Sequence, residues 1–314
     1  MRRILGLARN PVVRGTFLVA ALGLATWAVA RDWGQVTTAM ERMRPFEVVA
    51  AVLASFAYVG ASMQSWRAVM ADLGSPLGIR DSADVFLVSQ VGKYVPGGVW
   101  NVVAGAELGK DKGVARARTA SALAMTMLVS IFVGVALAGI GLALAPDGFP
   151  AWTRWGVVIT PVALVLLVPR LLSRVLAFAL RMVRRPGASA PFTARGVIVA
   201  ASWAAGAWAV AGLQVWMLAV GLGLAATPGT FLLAAAGFAA AWLVGLAILF
   251  LPAGVGAREL VLFPVFAHHL DRPTVVALVV ASRVLFTIAD GVLAAVPLLD
   301  RRLRRRRPVG RSKP

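Results

Sequence analysis

Residues 88–101 read Val88-Ser89-Gln90-Val91-Gly92-Lys93-Tyr94-Val95-Pro96-Gly97-Gly98-Val99-Trp100-Asn101. Ahead of the break, Val85, Phe86, Val88 and Val91 alternate with polar Ser89 and Gln90 in a helix-compatible pattern, and Val99 to Ala106 resumes a helix after it. Pro96 removes a backbone donor, while Gly97-Gly98 permits conformations closed to other residues. Two half-helices meeting at a break are the expected result. What the break means depends on the solvent around it: in water it is an ordinary loop with a snorkelling lysine, and in lipid it is a structural commitment.

Composition decides the solvent. Of 314 residues, 60% are hydrophobic and 14% charged, and the mean hydropathy is +0.82, whereas soluble domains carry about a quarter charged residues. Apolar runs of about 20 residues, enough to cross a ~30 Å hydrocarbon core, recur from end to end without the alternation of barrel strands. In lipid each backbone N–H and C=O has to be satisfied within its own segment, so helices do the spanning. The expected fold is an all-α polytopic transmembrane bundle with no soluble catalytic domain.

Seven spans are visible, at about 15–31, 46–70, 119–145, 152–169, 196–224, 229–250 and 274–299. Trp27, Trp33, Trp66, Trp152 and Trp155 fall near their ends, where aromatic belts form. The first run is read as a retained span, because Gly15 to Ala30 continues into Arg31-Asp32-Trp33 without a clear cleavage site. The organisation expected is a basic N-terminus over 1–14, a transmembrane domain over 15–299 and a basic tail over 300–314.

The net charge of +19, from 32 Lys+Arg against 13 Asp+Glu, sits in short loops and tails. Arg2, Arg3, Arg9 and Arg14 precede the first span, Arg170 to Arg195 fill a middle loop, and Arg301 to Arg311 close the chain. That placement fits cytoplasmic loops and anionic headgroups, and without an aromatic-interleaved basic surface it argues against nucleic acid. Seven plain crossings would strand the basic tail outside the cell. Asp81–Lys112, basic at both ends, is therefore read as a re-entrant hairpin, and Leu251–His269 as an eighth, broken crossing, so that both termini are cytoplasmic and the protein sits in the cell membrane.

A break at membrane depth is tolerated only where protein or a watery cavity surrounds it, and the N-terminus of the second half-helix is then an anion site, with Lys93 adding a full charge. A second break, Phe250-Leu251-Pro252-Ala253-Gly254-Val255-Gly256-Ala257-Arg258-Glu259, places two charges in an apolar stretch, where charges usually face the bundle interior. Its bland reading is a structural Arg–Glu pair. In the last span Arg283, Thr287 and Asp290 share one helical face. Arg283 is placed to meet Glu259 or a phosphate, and Asp290 to pair with a basic residue of a neighbouring helix. Gln64, Arg67 and Glu107 are weaker candidates, Arg67 reading rather as an interfacial anchor.

Cysteine is absent and the two histidines, His268 and His269, are adjacent, so thiol chemistry is excluded and no spaced metal-ligand set exists. No buried general base, paired aspartates or nucleophile elbow is legible. No catalytic residue, metal or cofactor is therefore expected, and the chain is not read as an enzyme.

At the two breaks the sequence resembles the transmembrane region of lysylphosphatidylglycerol synthase/flippase proteins, also met as stand-alone flippase-like membrane proteins. Gly92 to Trp100, Pro252 to Glu259 and Arg283 carry the resemblance, which runs over about 80–300. It implies a helical bundle with broken or re-entrant helices that moves phospholipids or polyprenyl-phosphate-linked lipids between leaflets. The bifunctional relatives add a soluble aminoacyl-transferase domain, so lysyl transfer is not expected of this chain, which stops at Pro314. The candidate substrate-binding set is Lys93, Tyr94, Pro96, Gly97, Gly98, Trp100, Asn101, Gly254, Gly256, Arg258, Glu259, Arg283 and Asp290. The expected partners are membrane lipids with anionic headgroups. A homodimer or an envelope-biosynthesis enzyme is the further partner considered, and the alternative function is that of a non-transporting membrane partner of a cell-envelope glycosyltransferase or lipid synthase.

Overall fold

The computed structural model of the chain describes residues 30, 33–34, 37–38, 41–95, 100–144, 155–182, 192–247 and 257–306. The expected first span, the breaks Pro96-Gly97-Gly98 and Gly254 to Gly256, and the far tail lie outside the described residues. Among these residues the regular structure is helical: α1 (Pro45–Asp72), α2 (Ile79–Gln90), a 3-10 turn (Val91–Tyr94), α3 (Trp100–Lys110), α4 (Arg116–Ala143), α5 (Gly156–Leu166), α6 (Pro169–Met182), α7 (Ala194–Gly221), α8 (Pro228–Ala247), α9 (Ala257–Phe266) and α10 (Arg272–Arg306). By length and composition α1, α4, α7, α8 and α10 can each cross a bilayer, and the bent pair of α5 and α6 is a candidate sixth crossing. The protein is a helical membrane bundle.

Its frame is the antiparallel pair α1 and α7. Pro45 occupies the first turn of α1, where its missing N–H costs nothing, and Glu47 reaches back to accept from the Arg44 N–H at 2.9 Å. At the other end Thr193 caps α7 and is itself held by Asp72, with its hydroxyl 2.5 Å and its N–H 2.9 Å from the two carboxylate oxygens. Between these ends small residues bring backbones together: a Cβ added at Gly212 of α7 would lie 2.4 Å from the Ala235 methyl of α8. Gln214, fully buried, exchanges hydrogen bonds with Ser282 across α7 and α10, accepting from its hydroxyl at 2.8 Å.

The segment 81–112 is a hairpin whose open ends meet. Lys112 Nζ lies 2.5 Å from Asp81 Oδ1 and 2.5 Å from Asp84 Oδ2. Arg301 Nε of α10 holds the other oxygen of Asp84 at 2.9 Å. At the closed end a Cβ on Gly92 would stand 2.6 Å from the Asn101 backbone nitrogen, so only glycine lets the half-helices approach there. The tip meets α10 at Asp290, eleven residues before Arg301, which is about 16 Å along the helix. That is half of a ~30 Å core. The described arms of the hairpin therefore have their outer ends beside Arg301 and converge beside Asp290, a re-entrant arrangement on the scale of half a hydrocarbon core.

The short α9 spans about 15 Å, half the membrane. It packs on α8, where Val265 fills the space above Gly237. Of the segment expected to form the broken crossing, this ten-residue helix is the part within the described residues.

Two expectations need correction. Part of the predicted Arg-rich loop 170–195 is the helix α6, set at 88° to α5. Leu172 and Leu176, one turn apart, are buried in the cluster of Val69, Met70, Leu108 and Val114 while Arg170 and Arg174 stay exposed, so the density of arginine hid an amphipathic period. Trp66 is not in an interfacial belt. It is fully buried, its ring 5.6 Å from that of Phe86 on the hairpin.

Candidate functional site

Above the hairpin tip lies a cavity of about 220 Å³. Its floor comes from the hairpin: Gln90, Lys93 and Tyr94 before the break, and Asn101 in the first turn of α3 after it. Facing them, α10 presents Arg283, Thr287 and Asp290, the predicted i, i+4, i+7 face. The walls are Tyr58 and Ser62 of α1, Thr126 and Ser130 of α4, Phe238 and Trp242 of α8, and Arg258 of α9.

The ionic centre is Asp290. Its side chain is 2% exposed, and Oδ2 accepts from Lys93 Nζ at 2.6 Å and from the Tyr94 hydroxyl at 2.6 Å. The second oxygen, Oδ1, is buried and has no hydrogen-bond partner. Lys93 thus meets the neighbour expected for Asp290, and one carboxylate oxygen carries both donors of the hairpin tip. Arg258 lies with its guanidinium 4.8 Å from the Phe238 ring centre, a cation–π contact that desolvation strengthens. Phe238 is in turn fixed by edge contact with Tyr58 and tilted contact with Phe286, ring centres 6.4 and 5.1 Å away. This aromatic wall explains how an arginine is held at depth by a helix of only ten residues.

Of the predicted binding residues, Lys93, Tyr94, Asn101, Arg258, Arg283 and Asp290 converge on the one cavity. Trp100 is half-buried beside Asn101 and does not line it. Pro96, Gly97, Gly98, Gly254 and Gly256 are outside the described residues, as is the side chain of Glu259. Of the weaker candidates, Glu107 is occupied elsewhere: its two oxygens take Arg116 Nε and a terminal guanidinium nitrogen at 2.8 Å each, clamping α3 to α4. Arg67 bonds Gln64 at 2.6 Å and the Leu77 carbonyl, which closes the turn between α1 and α2 rather than the cavity. Tyr58, Ser62, Thr126 and Ser130 are lining residues that the charge-led reading missed. Their signal was present as two i, i+4 polar pairs on otherwise apolar helices.

Among the described residues the cavity is lined by three cations and one carboxylate, with the first turn of a half-helix opening onto it at Asn101. Such a site suits an anion. Below it, at the mouth of the hairpin, desolvation lowers the Lys112 pKa, but bonds from Asp81 and Asp84 outweigh this and hold it above its usual 10.5. Among the described residues no group of three or more His, Asp or Glu is placed to hold a metal ion.

Fold and site define a class: a multi-pass helical membrane protein with a re-entrant hairpin and a cation-lined cavity within its bundle. The chain belongs to the lysylphosphatidylglycerol synthase transmembrane-region family, whose model matches residues 13–294. That span takes in both breaks and all of the cavity residues. No curated protein matches the chain.

Proposed function

We propose that this protein moves a lipid with an anionic, phosphate-bearing headgroup between the leaflets of the cell membrane, with both termini on the cytoplasmic side. The observation that carries this reading is the convergence of Lys93, Arg258 and Arg283, from three separate segments, on one cavity at the tip of a half-membrane hairpin. A cavity of about 220 Å³ is the size of a headgroup and too small for acyl chains, which stay in the bilayer while the polar end crosses. The cations offset the cost of taking a phosphate out of water. Phospholipids and polyprenyl-phosphate-linked lipids share this chemistry. No bond is made or broken, so the chain acts as a translocator and not as an enzyme.

The test is reconstitution into liposomes carrying a fluorescent phosphatidylglycerol, with dithionite quenching to read which leaflet it occupies. Transport above protein-free vesicles, lost in Lys93→Ala and Arg258→Ala, is the expected result. Rates equal to protein-free vesicles and untouched by either substitution overturn the reading.

A further inference from the structure

Asp290 sits where a lipid phosphate would have to go. It lines the cavity, it is 2% exposed, and it holds Lys93 and Tyr94 on a single oxygen at 2.6 Å each while its other oxygen holds nothing. Among the described residues, the charged and titratable groups facing it are Lys93 and Tyr94 from the hairpin, Arg258 from α9, Tyr58 from α1 and, two turns back on its own helix, Arg283. Lys93 is the cation whose pairing with this carboxylate is geometrically explicit. An arriving phosphate oxygen offers Lys93 and Tyr94 the same acceptor that Asp290 Oδ2 offers, and both anions cannot sit within bonding distance of one ammonium without repelling each other.

We infer that Asp290 is a built-in competitor: its carboxylate occupies Lys93 and Tyr94 when the cavity is empty, and a phosphate-bearing headgroup binds by displacing it, which unpins the hairpin tip from α10. The inference rests on the proposed function and adds its regulation. The lopsided use of the two oxygens suits exchange, because two donors on one atom are released together while a second acceptor atom on the same carboxylate remains for a new partner. Occupied Lys93 reduces apparent affinity by the fraction of molecules in which the pair is broken, and a bound headgroup converts pairing energy into freedom of the tip. Among the described residues two ionic contacts tie the hairpin to α10, Asp290 at the tip and Arg301–Asp84 at the base, beside apolar packing of Val91 and Val95 against Ala294. Displacement at the tip therefore removes the ionic contact at the cavity and leaves the contact at the base in place.

The experiment measures binding of dihexanoyl-phosphatidylglycerol, below its micelle concentration, to the purified full chain. Asp290→Asn is expected to bind about tenfold tighter than wild type, Lys93→Gln to bind more weakly, and the double variant to bind no tighter than Lys93→Gln alone. In the wild type, a hydrophobic carbodiimide should form the Lys93–Asp290 amide in the lipid-free protein and fail to form it when the lipid is bound. That measurement stands even where Asp290→Asn does not fold. Binding that is unchanged or weaker in folded Asp290→Asn, or a cross-link that persists with lipid bound, overturns the competitor while leaving the translocator reading intact. Absence of lipid binding in the wild type overturns both.

Discussion

At the scale of the residue, the cavity separates two kinds of buried polarity. Gln214 and Ser282 satisfy each other completely within a few ångströms, and such pairs in membrane helices contribute on the order of 1 kcal/mol. Arg283 lies one residue along the same helix from Ser282, yet it lines the cavity, and the proposed function assigns its charge to the headgroup. The two should part on substitution. Gln214→Leu is expected to lower the thermal unfolding midpoint and leave transport per folded molecule near wild type. Arg283→Leu should abolish transport in a protein that still elutes as a folded monodisperse species. Loss of folded protein in Arg283→Leu would mean that the arginine holds the bundle together. Charged residues at depth announce themselves in sequence because they are costly there, which is why Lys93, Arg258, Arg283 and Asp290 were legible. Tyr58, Ser62, Thr126 and Ser130 were not, since a lone hydroxyl in a transmembrane helix can bond its own preceding turn, as Ser62 does to the Tyr58 carbonyl and Thr126 to that of Ala122.

At the scale of the element, the hairpin shows what a break in a helix accomplishes. Pro96 and the glycines after it were readable as a stop, and basic residues on both flanks were readable as a return to the same side. Its internal contact was not readable, because nothing in Gly92 itself says that Asn101 will lie against it. The prediction follows from that contact. With 2.6 Å between an added Cβ and a backbone nitrogen, Gly92→Ala has no flexible side chain to push aside, so the half-helices must separate at the tip. Transport should fall at least tenfold, with the unfolding midpoint of the bundle shifted little, because the α1–α7 frame does not touch Gly92. An unchanged rate would mean that the tip geometry is irrelevant to function. The base behaves differently. Lys112 is held above its usual 10.5 by Asp81 and Asp84, so its contribution is complete below that value and is lost only as pH rises through the elevated one. The hairpin mouth should accordingly stay latched across the neutral range, and cysteines substituted at exposed Arg80 and Lys110 should show the same labelling rates at pH 6 and pH 8 once each is divided by the rate of a free thiol at that pH.

At the scale of the whole molecule, the ends of the bundle differ in charge. Among the described residues, Arg80, Lys110, Lys112, Arg116, Arg118, Arg170, Arg174, Arg195 and Arg301 gather where α1 ends, α7 begins and the hairpin opens, whereas Arg42, Arg44 and Arg272 lie at the opposite end with Glu41, Glu47 and Asp271 for company. Lys and Arg near span ends set orientation as the chain inserts. The hairpin shares its entry side with the basic end, so its mouth faces whichever compartment that end faces. On the proposed function, this orientation sets the leaflet that the hairpin mouth faces. Because the native chain has no cysteine, single substitutions report it cleanly. Ser312→Cys, beyond the end of α10, should be labelled by a membrane-impermeant maleimide only after the cells are opened, and Ala226→Cys, between α7 and α8, should be labelled on intact cells. Labelling of Ser312→Cys from outside would reverse the bundle, so that the hairpin would open to the exterior and the lipid would be captured first from the outer leaflet.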